Sequence, residues 1–320
     1  MGLITRAFFF TFCAMAMGTA RGQCISDQAG LEAALMVEDG SRVFVCRDTT
    51  IEISNTVEIS PTANVIVQCR NMGCKITTSS NFNQFDDIIG TPEGVTSTHK
   101  VKFAGISFVQ AGNSASSLFT LIGGSTTISK GKECVIQGNA VFDSLLRVSG
   151  GVLRIIGCDI VSNESKGNMI RGINGSTLFF KGLNLKSNTA AILDVMNIEN
   201  SSMVMNSVNV TSNSGKKDVF EFSKGRVRMT RVNFVDNQAG DFLTYFGPRA
   251  RITMKLCLFK QNKAGQDIVA SVMSRLVASD TTFVENDGIA TLYVENRAAT
   301  LNNVLFDNNV ARAGDEYTIV

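Results

Sequence analysis

The stretch Leu153–Asn309 repeats one phrase: LRIIGCDIVSN closes on Asn163, LFFKGLNLKSN on Asn188, MVMNSVNVTSN on Asn213, VRMTRVNFVDN on Asn237, ITMKLCLFKQN on Asn262, LVASDTTFVEN on Asn286 and ATLNNVLFDNN on Asn309. Successive asparagines are 25, 25, 24, 25, 24 and 23 residues apart, the signature of one structural repeat. Within a phrase apolar residues alternate, as at Leu153, Ile155, Cys158 and Ile160, with a slip at a bend. That is the period of a strand with one buried face. A second apolar run follows each bend, as in MIRGI, AILDV, DVFEF, FLTYF, DIVAS and TLYV. The spacing therefore predicts an all-β chain, a right-handed single-stranded parallel β-helix with about 23–26 residues and three strands per coil.

Three residues before each asparagine stand Ile160, Leu185, Val210, Phe234, Phe259, Phe283 and Phe306, a column that predicts apolar stacking through the core. The asparagine itself is expected to take the left-handed bend and to bond its neighbours through its amide, with a ladder along the axis as a further use. Outward of this column, four residues before the asparagine, stand Asp159, Asn184, Asn209 and Asn233. Regular rows of donors and acceptors suit sugar hydroxyls, so these four are the candidate ligand-binding strip.

Upstream, Met1–Gly22 carries Arg6 and the apolar run AFFFTFCAMAM, too short for a membrane span of roughly twenty residues. It reads as a secretory signal peptide, with residues 23–320 as a single β-helix domain and no membrane span. DQAGLEAALMVE predicts a helix within residues 23–40, behind an Asp27 cap, that covers the first rung. Residues 79–98 stretch one repeat and predict a protruding loop containing Asp86, Asp87 and Glu93, with the sole histidine, His99, exposed beside it. The phrase also ends mid-coil near Thr318, which predicts that further chain or a second molecule, through end-to-end association, covers the last rung.

A formal charge of +2 over 320 residues supplies no large field and argues against nucleic acid as a partner. Beyond the leader seven cysteines remain. Cys24, Cys46, Cys69 and Cys74 are disulfide candidates of undetermined pairing, whereas Cys134, Cys158 and Cys257 occupy an inward column and read as free buried thiols. No thiol pair has metal-site spacing, and no metal or cofactor is expected. Of four sequons, Asn163 is a bend residue with an engaged amide, so Asn174, Asn200 and Asn209 are the glycosylation candidates.

The forms at Cys74–Ser79 and Cys158–Asn163, and F-x-x-N at Phe234, Phe259, Phe283 and Phe306, resemble coils of right-handed parallel β-helix proteins of the pectin-lyase-like superfamily. The F-x-x-N half is also similar to repeats of polymorphic outer-membrane adhesins, although their G-G-A-[ILV] tetrapeptide is absent. The resemblance implies clustered carboxylates for any lyase or hydrolase. The N-T-D and G-H-G motifs of polygalacturonases do not occur, no acids pair along the outward strand columns, and no catalytic residue is assigned. Asp194, Asp218 and Glu221 fall on successive coils, but with Lys216 and Lys217 beside them they read as a solvated mixed-charge face. The resulting expectation is a secreted, extracellular or cell-surface protein. It is non-catalytic and presents polar ladders to a polysaccharide or glycoprotein surface. The alternative is a polysaccharide lyase or glycoside hydrolase with a site built around Asp86 and Asp87.

Overall fold

The computed structural model describes residues 24–110, 115–191, 194–297, 299–312 and 317–319, so the expected leader peptide lies outside the described residues. The chain is a parallel β-helix whose strands form three sheets of 18, 11 and 8 strands. Equivalent residues of successive phrases meet in register: Leu153 pairs with Leu178, Leu178 with Met203, Met203 with Val227, Val227 with Ile252 and Ile252 with Leu276. The alternating phrase gives the long sheet, two-residue strands such as Gln238–Ala239 after each asparagine give the 8-stranded sheet, and the second apolar run gives the 11-stranded sheet. Every coil thus buries one face of each strand in a common core. Phe234, Phe259, Phe283 and Phe306 stack through it, with ring centroids 4.9, 4.8 and 5.0 Å apart and planes within 14° of parallel.

The bends depart from expectation in one respect. The left-handed residue is not the asparagine but the one before it: Ser162, Ser187, Ser212, Asp236, Gln261, Glu285 and Asn308 all have φ between 52° and 55°. The asparagine that follows is thereby turned inward, where Asn163, Asn188, Asn213, Asn237, Asn262 and Asn286 are buried. Each uses its amide fully. The Nδ2 of Asn188 donates to Oδ1 of Asn213 at 3.0 Å and to the Ile160 carbonyl of the preceding coil at 2.9 Å, while its Oδ1 accepts from the backbone N–H and Nδ2 of Asn163. The same pattern runs from Asn139 to Asn309.

At the N-terminal end the expected helix forms over Gln28–Ala34, with the Asp27 carboxylate accepting from the Gly30 N–H at 2.8 Å and Leu31, Ala34 and Leu35 buried. Disulfides join Cys24 to Cys46 and Cys69 to Cys74. A third, Cys134–Cys158, corrects the expectation of free thiols there. Inward cysteines on adjacent rungs have Cα atoms 4.9 Å apart, inside the range a disulfide spans. Cys257 has no cysteine on the neighbouring rungs and stays free and buried, its thiol pushed up to about 11 by burial.

Residues 79–98 are likewise not all protrusion. Phe82, Ile88 and Ile89 are buried, and Ile89–Gly90 is a strand of the 11-stranded sheet between Val57 and Phe119. His99 is fully buried rather than exposed, held between the Ser97 and Thr126 hydroxyls at 2.6 and 2.9 Å. Burial drives its pKa down to about 4.

Because each ladder amide satisfies neighbours above and below, Asn213→Ala strands the Asn188 donors and removes the bond to the Leu185 carbonyl. At about 1–3 kcal/mol for each orphaned buried group, a loss of roughly 3–5 kcal/mol is expected in urea denaturation of the variant. A loss under about 1 kcal/mol would show that the ladder is incidental to stability.

Candidate functional site

The expected strip is in register, Asp159 beside Asn184, Asn184 beside Asn209 and Asn209 beside Asn233. Its side chains bond one another: Asn184 Nδ2 donates to Asp159 at 2.6 Å, Asn209 to Asn184 at 2.8 Å and Asn233 to Asn209 at 2.9 Å. This is a second, outer ladder on an open strand face.

The 11-stranded sheet carries a different feature on its outer side. Its outward column runs Arg147, Arg171, Asn197, Glu221, Tyr245, Ala270 and Tyr293. Tyr245 and Tyr293 therefore rise on either side of small, buried Ala270, two rung spacings of about 4.8 Å apart. Phe242 lies against Tyr245 with ring centroids 5.1 Å apart. These rings and the polar groups Lys217, Asp218, Glu221 and Asp267 line one open trough of about 820 Å³.

At one end of the trough Asp194, Asp218 and Glu221 bring carboxylate oxygens within 4.8 Å of one another, and Asp194 and Asp218 are each only 1% exposed. This corrects the solvated-face expectation. The bend before each strand turns one side chain under the next coil. There it caps backbone: Asn168 accepts from the Asp194 N–H, Asp194 from the Asp218 N–H at 3.0 Å, Asp218 from the Phe242 N–H at 2.9 Å, and Asp267 from the Ala290 N–H at 2.9 Å. Asn197 donates to both Asp194 and Glu221 at 2.8 Å, and Lys217 reaches Glu221 at 3.2 Å. Asp218 Oδ2 has no hydrogen-bond partner among the described residues, and its nearest cation, Lys217, is 3.8 Å away.

Burial sets the electrostatics. It raises the Asp218 pKa to about 7, against the lowering effect of the Phe242 N–H, and it raises Glu221 and Asp267 as well, Glu221 with help from Asp194. Burial opposes the charge on Lys217, but Glu221, Asp194 and Asp218 outweigh it and hold the ammonium above its ordinary range. Desolvation followed by Glu221 raises Tyr245. Chemically, the end of the trough holds one carboxyl that is protonated in part at neutral pH beside a carboxylate bound to lysine.

The Asp86/Asp87 region stands apart, near the N-terminal end of the same sheet, where burial raises Asp87. Sequence reasoning passed over Tyr245, Tyr293, Phe242 and Asp267. The signal for the tyrosines was alternation, since Tyr245 stands between buried Thr244 and Phe246 and so must face out. Among the sequons, Asn163 is 2% exposed, Asn174 and Asn200 are exposed left-handed turn residues, and Asn209 is half-buried within the outer ladder.

No protein-family model and no curated protein matches the chain. Solved structures do. The Agl-KA catalytic domain superposes with a TM-score of 0.55 at 12% identity, over 94% of this chain and 66% of that one. The Streptococcus pneumoniae surface protein and adhesin PfbA gives 0.47 at 11%, covering 90% and 96%, and the A-module of Azotobacter vinelandii mannuronan C-5 epimerase AlgE4 gives 0.43 at 9%, covering 93% and 96%. At 12% identity the likeness to the Agl-KA domain establishes the fold alone, a parallel β-helix.

Two outcomes follow from the placement of these groups. Expressed in a glycosylating host, the protein should carry glycans at Asn174 and Asn200 and none at Asn163. Glycopeptide mass spectrometry showing Asn163 occupied would mean the inner ladder had not formed. For Asp218, a folded pKa of about 7 against a reference of 3.8 means that the folded state binds the extra proton. Its contribution is therefore full below about pH 4 and is lost as pH rises to about 7. Thermal melts across that window should show Asp218→Asn, which keeps the acceptor for Phe242, with a flatter profile than the native chain. Identical slopes would place the titration elsewhere.

Proposed function

We propose that this protein is an exported, non-catalytic β-helix protein that binds glycan chains in the trough on the 11-stranded sheet. The observation that carries the reading is the Tyr245–Ala270–Tyr293 arrangement, two outward rings flanking a small residue with carboxylates and an ammonium at one end. Aromatic rings give sugars apolar faces to lie on, and charged groups alongside accept or donate to hydroxyls. Three disulfides support folding in an oxidising compartment, as export requires. That the carboxylates are largely committed supports binding over turnover: both oxygens of Asp194 accept protein donors, and Glu221 is held by Asn197 and Lys217.

One observation favours a second reading. The Oδ2 of Asp218, which has no hydrogen-bond partner among the described residues, on a carboxyl whose pKa is raised to about 7, suits a general acid, so a lyase or glycosidase activity at the trough is the alternative. A glycan array followed by product analysis separates the two. Tyr245→Ala with Tyr293→Ala should weaken glycan capture by about tenfold or more, at about 0.5–1.5 kcal/mol per ring contact plus lost area. Asn184→Leu on the outer strip should weaken it less. Unchanged capture in the tyrosine variant would sink the groove, equal or greater loss in Asn184→Leu would move the site to the strip, and product released by the native chain but not by Asp218→Asn would establish the enzyme.

A further inference from the structure

The long sheet presents a basic face on the rungs that carry the trough elsewhere. Arg226 pairs in register with Arg251, and Arg251 with Arg275, which sets three guanidinium stems in one column at the strand spacing of about 4.8 Å. Arg228 stands two residues along the first of these strands and Lys255 four along the second, on the same outward side, and all five are exposed. The intervening Val227, Met229, Ile252, Met254 and Leu276 point into the core. At the outward positions of the four rungs Ser202–Asn206, Arg226–Thr230, Arg251–Lys255 and Arg275–Ser279 there is no aspartate or glutamate. Among the described ion pairs none involves these arginines, and Arg249 stands exposed in the adjoining turn. A trough of about 500 Å³ runs across the column between Ser202 and Arg275.

Like charges opposite one another on neighbouring strands repel, so the uncompensated column is an electrostatic cost in the free protein that an anion with matching periodicity removes. A linear polymer with anionic groups on successive units can meet each rung in turn. A guanidinium offers paired N–H donors to two oxygens of one oxyanion and is more weakly hydrated than an ammonium, which matches the singly charged sulfate ester, a group less strongly hydrated than a carboxylate. The outward positions of these rungs hold no aromatic ring on which a base would stack, and a flat strand face has no helix or ribbon to enter a duplex groove. We propose that the Arg226–Arg251–Arg275 column is a binding site for a sulfated polysaccharide. It lies on a different sheet from the tyrosine trough and stands whether or not that trough binds glycans.

Binding of heparin to the purified native protein, followed by titration at about 0.15 M salt and again at higher salt, tests the assignment. Arg226→Ser/Arg251→Ser/Arg275→Ser should lose about tenfold or more in affinity, and the native protein should weaken steeply with salt. Lys75→Ser/Lys130→Ser/Lys132→Ser removes the same charge from exposed positions elsewhere and should change binding by less than about twofold. Because Arg226→Lys/Arg251→Lys/Arg275→Lys keeps the charge and the fold, its weaker binding, by several-fold, would separate fork geometry from charge. The proposal is overturned if the arginine and lysine sets lose affinity equally, if the arginine column can be removed without effect, or if single-stranded DNA or polygalacturonate of equal charge binds as tightly as heparin.

Discussion

The fold depends on how a buried amide is satisfied. An asparagine side chain has two donors and an oxygen with two lone pairs, and a site that uses all four must supply partners from two directions. In this chain the partners are the next asparagine on one side and a main-chain carbonyl of the previous coil on the other. A rung can therefore join the stack in one register only. A slip by one residue would bury an unpaired amide and turn every inward side chain outward. The stacked phenylalanines add apolar area, but area tolerates slippage in a way that a chain of paired amides does not.

Fixing the register at the bend fixes everything laid out on the sheets. Outward columns become rows of side chains at constant spacing, and the character of each row follows from which residues the repeats place there. The outer amide row satisfies itself. The row through Glu221, Tyr245, Ala270 and Tyr293 cannot, because rings and a methyl group alternate in height and leave a trough. The buried Asp194, Asp218 and Asp267 beneath it repeat the capping role of the asparagines with a charged group. That substitution costs solvation, which is why Asp218 and Asp267 hold their protons more tightly than exposed acids do.

The architecture was legible because its signal is redundant: seven phrases repeat the same alternation, and the asparagine marks each bend. The site was less so. Which of two neighbouring residues takes the left-handed conformation depends on sub-residue geometry, so Ser162 took the bend expected of Asn163, which kept only the amide role. Cys134 and Cys158 looked like interchangeable apolar residues in a column otherwise filled by Leu183, Val208 and Val232. Only the closeness of the rungs made the pair a disulfide. Asp194 and Asp218 sit among lysines in the sequence, and local composition says solvent. Their burial comes from the next coil folding over the bend, a contact some two dozen residues away.

Net charge misleads for the same reason. A sum of +2 treats the chain as a point, whereas a β-helix sorts its charges by sheet. Between residues 194 and 295 the 11-stranded sheet and its bends collect Asp194, Asp218, Glu221, Asp267 and Glu295 around Lys216 and Lys217, while the outward side of the long sheet over the same rungs collects Arg226, Arg228, Arg251, Lys255 and Arg275. The two fields arise from residues only five to eight apart in sequence, such as Glu221 and Arg226. With a Debye length of about 8 Å at physiological salt, each face acts on a ligand within its own screening distance. A near-neutral repeat protein of this kind offers a basic surface on one sheet and a mixed-charge trough over buried acids on another at the same level of the stack, and a partner meets whichever face it approaches rather than the sum.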